Sequence, residues 1–205
     1  GRSIVEIASG SDDEDPADIV VIGHRGTGKA SMILGSTANY VTHHLEQPVV
    51  VIRGEYSGPA VHVAVGVDDH GIEEGDDGEN ASVRALRFAY GLRGVEDIAV
   101  IHAWFAPAVA AGLYAGAGAD IEQMDAEAVA VAEHVMACAG DPPEGVTVRA
   151  VPERGTAGFA LVEASHDADL VVVGSRGRGG FLEVLLGSTT LEVASHSHAP
   201  VAIIR

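Results

Sequence analysis

The residues most able to do chemistry form a spaced set near the carboxy-terminal end of the sequence. Gly174-Ser-Arg-Gly177 is followed by nine residues and then by Gly187-Ser188-Thr189. Glycines let a backbone turn sharply and let a ligand approach it closely. Amides at a helix start, together with the helix dipole, favour an anion. The Ser188 and Thr189 hydroxyls add donors. The chemistry of such a set is the binding of phosphate, and the nearby cations in the sequence are Arg176 and Arg178.

Other candidate centres lack the spacing their chemistry needs. Asp68 and Asp69 are adjacent at the end of an apolar run, and neighbours on a strand point to opposite faces, so they do not make an acid/base couple. No Ser-His-Asp or Cys-His arrangement has spacing support, which leaves no catalytic residues to name. The stretch GTGK at 26–29 resembles a P-loop, but Lys29 is followed by Ala30, with no hydroxyl for magnesium. His43-His44 and His196-x-His198 fall late in two helix-like segments. Histidines two apart do not share a helical face, so these read as helix-end residues and no metal ligands are assigned. The acidic runs at 12–15 and 73–79 read as solvated loops.

The elements that must position the glycines are organised by an internal repeat. Residues 17–37, ADIVVIGHRGTGKASMILGST, parallel residues 168–189, ADLVVVGSRGRGGFLEVLLGST. Upstream, SIVEIAS at 3–9 resembles ALVEAS at 160–165; downstream, QPVVVIR at 47–53 matches APVAIIR at 199–205. Each copy reads as short helix, apolar strand (19–22 and 170–173), glycine loop, helix, and a strand opening after proline (49–52 and 201–204). Val/Ile runs without alternation indicate strands buried on both faces. The second copy is preceded by further segments. They are a strand at 61–67, a polar loop at 71–80, a helix at 81–92 with Asn80 or Ser82 as N-cap, a strand at 98–104 and an Ala/Gly-rich loop at 106–119 expected to be mobile. A helix at 121–139 ended by Gly140 and a strand at 146–151 complete them. Strands alternating with helices imply a parallel sheet with helices on both faces. Residues 59–205 therefore read as a complete five-stranded unit, residues 1–53 as the carboxy-terminal half of another, and residues 54–58 as a linker.

Composition sets outer limits. Apolar residues make up 47 % and aromatics 4 %, so the core must be built from Val, Ile, Leu and Ala. The 30 acidic residues outnumber the 12 Lys and Arg, giving a net charge of −18 that repels nucleic acids and anionic membranes. Lys29 is the sole lysine; both salt adaptation and a GC-rich genome produce this usage. One cysteine, Cys138, is expected to be a buried small apolar side chain, and its solitude fits a reducing cytoplasm. No apolar run reaches membrane-spanning length, and the initial Gly1 suggests a processed or cut start.

The spacing G-x-x-G, nine residues, G-[ST], embedded in ADLVVVGSRGRGG and LLGSTTLEVASHSHAPVAIIR, resembles the nucleotide-binding universal stress proteins. The resemblance covers about 147 residues of the second unit and about 50 of the first. It implies an adenine nucleotide alpha-hydrolase-like α/β fold: an open parallel five-stranded sheet with helices on both faces, plus the partial copy. It also implies ATP, with Mg or Mn bridging the phosphates. Gly174, Arg176, Gly177, Gly187, Ser188 and Thr189 would hold the phosphates, with Asp68 and the Ala103 backbone at the adenosine end. The implied function is a stress-response or regulatory module with slow hydrolysis at most; the alternative is an adenine-nucleotide-dependent enzyme of the same superfamily. Family dimers pair their final strands antiparallel. On that pattern 49–52 pairs with 201–204 inside this chain, and the edge at 19–22 is left to meet a second copy as a homodimer. In the first copy Gly23-His24-Arg25-Gly26 is followed by eight residues rather than nine before Gly35, so no complete site is expected there.

Overall fold

A computed structural model of the chain describes residues 1–10, 15–24, 34–53, 58–68, 80–105, 121–175 and 186–205. The expected loop at 106–119, residues 12–14 and 73–79 of the acidic runs, Lys29, and Arg176, Gly177 and Arg178 lie outside the described residues. Those residues form helices α1 (Arg2–Ala8), α2 (Ser36–His44), α3 (Ala81–Tyr90), α4 (Ile121–Ala139), α5 (Ala157–Ala164) and α6 (Ser188–His196). Interleaved with them are strands β1 (Val20–Gly23), β2 (Val49–Ile52), β3 (His62–Gly66), β4 (Asp97–Trp104), β5 (Thr147–Arg154), β6 (Leu170–Gly174) and β7 (Val201–Ile204).

Among the described residues these strands make one seven-stranded sheet, in the order β1-β2-β7-β6-β3-β4-β5. The five strands of the second unit run parallel to one another. The two of the first unit are parallel to each other and join the rest through an antiparallel β2–β7 pair, Val49 opposite Ile203 and Val51 opposite Val201. The two final strands thus pair within the chain.

Two apolar layers hold the sheet. On one face Val49, Val51, Val171, Val173, Val201 and Ile203 pack under Val41 of α2, Leu161 of α5 and Val193 of α6. On the other, Val63, Val65, Ile98, Val100 and Val172 pack under Leu86 of α3 and Val135 of α4. The largest fully buried side chains are Leu, Ile and Val, as the composition requires. Gly66 of β3 is small because Leu161 lies over it, 2.5 Å from where a Cβ would stand.

The structure differs from the sequence expectation in two instructive places, one a strand boundary and one a burial. Strand β5 continues three residues past Val151 to Arg154, through Pro152. It is an edge strand, where a proline's missing N–H costs no ladder bond. Cys138 is half-buried rather than buried, because α4 turns it toward the flank of the second apolar layer. Helix α4 itself spans Ile121–Ala139 as read, and Gly140 follows it at φ 92°, the left-handed conformation that stops a helix.

Each unit's last arginine serves the other unit. Arg53, just past β2, donates from Nε to the Ser197 carbonyl at 2.8 Å and from Nη1 to the Ala194 carbonyl at 3.0 Å. Arg205, just past β7, donates from Nη2 to the Thr42 and His43 carbonyls at 2.9 and 2.7 Å. These acceptors are the carbonyls that helices α6 and α2 leave unmade at their carboxy ends. The guanidinium charge also suits the negative end of each helix dipole.

Candidate functional site

The glycine loop is built by clamping its two ends together. At its start β6 ends in Gly174; at its close Gly187 precedes α6. The Gly187 N–H donates to the Ser175 carbonyl at 3.0 Å, and Thr190 Oγ1 donates to the Gly174 carbonyl at 2.7 Å. Gly187 is the N-cap of α6 and brings no side-chain cap. The first-turn amides beside Ser188 and Thr189 therefore face the loop mouth uncapped by a side chain, the arrangement that suits a bound anion. Ser188 is exposed and Thr189 half-buried.

Half of this clamp recurs in the first copy, where Ala38 stands in the place of Thr190 and has no hydroxyl to give. The Gly35 N–H donates to the His24 carbonyl at 2.9 Å, and Gly35 caps α2 without a side-chain bond.

The adenosine-side candidates lie across two strands from the loop. Gly66 of β3 stands level with Val173 of β6 and with Ile101 of β4. Asp68 lies two residues past Gly66, just beyond the end of β3. The structure thus brings Gly174, Asp68 and Ala103 to three consecutive strand ends on the carboxyl edge of the sheet, where ligands of open α/β sheets bind. The backbone of Asp68 is fixed from α3: its N–H donates to Ser82 Oγ at 2.9 Å, and Asn80 Nδ2 donates to its carbonyl at 3.4 Å. Asn80 also caps α3 by accepting from the Val83 N–H at 2.8 Å. Beneath this edge His102, 8 % exposed, donates from Nδ1 to the Val67 carbonyl at 2.9 Å and ties the ends of β3 and β4 together.

Beyond Ala103 stands Trp104, which the sequence offers either as a plug of the core or an interface or as a cover for a base edge. Trp104 Nε1–H donates to Asp125 Oδ1 of α4 at 2.9 Å. Arg154, level with Trp104 on the neighbouring strand, grips both oxygens of the same carboxylate, with Nε at 3.2 Å from Oδ1. The Arg154 hydrogen bonds hold the Asp125 carboxyl below its usual range, and the Trp104 bond adds to the effect against the opposing pull of burial. The available signal was a lone Trp at the end of a strand; its partner 21 residues away had none.

The histidine pairs occupy helix ends. His43, His44 and His196 turn their Nδ1 back on carbonyls of their own helices, those of Asn39, Tyr40 and Glu192. His198 stacks on His166, ring centres 3.8 Å apart. Among the described residues no helix is long and apolar enough to cross a membrane.

Comparison with known proteins adds the lineage. The family described as the universal stress protein family matches residues 2–53 and 72–205. A universal stress protein of Mycolicibacterium smegmatis is 33 % identical over 198 residues, covering 92 % of this chain and 62 % of that protein. Universal stress protein Rv2623 of Mycobacterium tuberculosis is 32 % identical over 194 residues, with the same coverages of 92 % and 62 %. The chain thus spans 62 % of the length of these curated relatives. In fold it resembles a crystallised universal stress protein from Archaeoglobus fulgidus, TM-score 0.60 at 22 % identity, covering 100 % of this chain and 66 % of that one. With both copies of the repeat matched and the clamped glycine loop on the carboxyl edge of the sheet, the chain belongs to the universal stress protein family.

Proposed function

We propose that this chain is an ATP-binding universal stress protein, a regulatory nucleotide-binding module of the stress response without a dedicated catalytic centre. One observation carries the reading: three neighbouring strand ends offer three chemistries in the order a nucleotide needs them. The β6 loop with Gly174, Gly187, Ser188 and Thr189 suits phosphates, Asp68 on β3 suits ribose hydroxyls, and Ala103 on β4 offers backbone to a base. Neighbouring strands lie about 4.8 Å apart, so phosphate and base ends are separated by about 10 Å.

In this reading Gly177 lets the backbone reach the phosphates, Arg176 supplies charge, and a Mg or Mn ion would add positive charge to the phosphates of so acidic a chain. Residues 59–205 form the nucleotide-binding domain, 54–58 a linker and 1–53 the carboxy-terminal half of a first repeat. The protein works in a reducing cytoplasm and as a homodimer. The test is calorimetry with ATP on the parent and on Gly177→Val, with mass spectrometry of ligand released from the purified protein. Binding by the parent and none by the variant is the expected result; equal binding by both would overturn the loop assignment. Turnover is expected to be absent or very slow, since the loop offers donors for charge and no positioned base for water. Robust ATPase activity, lost on a change in the loop, would replace this reading with an enzymatic one.

A further inference from the structure

We propose that the indole of Trp104 is a stacking wall for the base of the bound nucleotide, and that Asp125 and Arg154 are positioning residues that fix its plane. This rests on the nucleotide reading above. Trp104 is the only tryptophan of a chain with few aromatics. It is half-buried, yet belongs to neither apolar layer of the sheet.

Instead it ends β4 on the carboxyl edge, next to Ala103 and one strand from Asp68. Phe105 follows it at 56 % exposure, so the rim beside Ala103 is aromatic. The one polar atom of the indole is satisfied at the ring edge by Asp125. What remains is π-surface, held in one orientation by a carboxylate that Arg154 grips with both of its forked nitrogens. Fixed aromatic surface of this kind takes a flat heteroaromatic ring and tolerates its identity, because every base has a π-face. The wall therefore selects a nucleotide over a bare polyphosphate and discriminates weakly among bases.

Trp104 is its own reporter. Titrating the parent with ATP should quench or shift its emission, whereas inorganic tripolyphosphate, which lacks a base, should leave it unmoved. By calorimetry Trp104→Leu should weaken ATP about tenfold, the scale of one lost base–aromatic stack, and leave tripolyphosphate unchanged. Trp104→Phe should restore most of the ATP affinity. Asp125→Ala should red-shift the emission and weaken ATP but not tripolyphosphate. ATP binding detected by calorimetry with unmoved emission, or equal ATP affinity in Trp104→Leu, would overturn the wall and leave the nucleotide reading standing. A parent that gives no heat with ATP overturns both.

Discussion

A Cβ on Gly174 would stand 2.7 Å from the Cβ of Ala81 and 3.2 Å from that residue's carbonyl carbon and oxygen. The first glycine of the loop is therefore small because the start of α3 presses against it, a reason that needs no ligand. Gly174→Ala should lower stability by about 1–3 kcal/mol, the usual range for overpacking a tight site, measured as a drop in the urea midpoint with unchanged slope. A parental midpoint would show that α3 gives way freely. Gly177→Val is expected to behave oppositely, losing ATP at parental stability. Asp125 provides a second residue-level test, through pH. Its folded carboxyl lies below the unfolded value, so its bonds contribute above that value and are lost as pH falls through the folded one. Trp104 emission should then stay constant from neutral pH down to about pH 4, the ordinary aspartate range, and red-shift only below it. Asp125→Asn should lack that step; a transition centred near neutral pH would assign the response to another group. The sequence displayed Gly174 and Trp104 as notable residues. It could not display Ala81 or Asp125 as their partners, because those contacts exist only once α3 and α4 are laid on the sheet.

Helix α3 links the scale of residues to that of elements, since its N-terminal side chains hold Asp68 in place. Asn80→Ala removes the cap on the Val83 N–H and should cost about 1 kcal/mol. It also removes the Asn80 bond to the Asp68 carbonyl, so ATP affinity should fall along with stability; loss of stability with parental affinity would mean that Ser82 alone positions Asp68. The exchanged arginines belong to this scale too. Arg53→Ala and Arg205→Ala should each cost about 1–3 kcal/mol, the range for hydrogen bonds made by a charged group, by urea denaturation. A silent Arg205→Ala would show that the β2–β7 ladder alone joins the two copies. Element types were legible because β6 and β7 are apolar runs rich in Val and Ile with no alternation, and α4 has a helix-stopping glycine after it. The end of β5 was not, because Pro152 reads as a stop until the strand is known to be an edge. The arginine exchange was invisible for a related reason: the two matched -IR endings looked like local repetition, and only the antiparallel β2–β7 pair sends each guanidinium across to the other copy.

At the scale of the whole molecule the two copies differ in what covers them. In the second copy Val172 is 0 % exposed and Leu170 7 %, beneath α3 and α4 and beside β3. Their counterparts in the first copy, Val21 and Ile19, are 59 % and 40 % exposed. Ile7 of α1 is 75 % exposed, and Ile4, Ile7, Ala17, Ile19 and Val21 line, with Asp15, a groove of about 520 Å³ at this end of the sheet. Strand β1 is also the end of the sheet. Its residues Val20–Gly23 carry no charge and no proline, the devices that ordinarily protect an edge from pairing. The final strands cannot serve a dimer, since β2 lies between β1 and β7, and β7 between β2 and β6. A β1 edge left bare would be self-complementary across a two-fold axis, and an isologous dimer formed there would satisfy the ladder while covering Val21 and Ile19. The net charge of −18 opposes the approach of two copies, so association should strengthen with added salt as that repulsion is screened. Light scattering of this chain at micromolar concentration should give twice the monomer mass. Val21→Lys should return it to monomer with unchanged circular dichroism, because Val21 lies outside both apolar layers and a charge there forbids only the pairing. A parental chain that remains monomeric at all salt concentrations, or a Val21→Lys variant that still dimerises, would rule out the β1 edge as the contact.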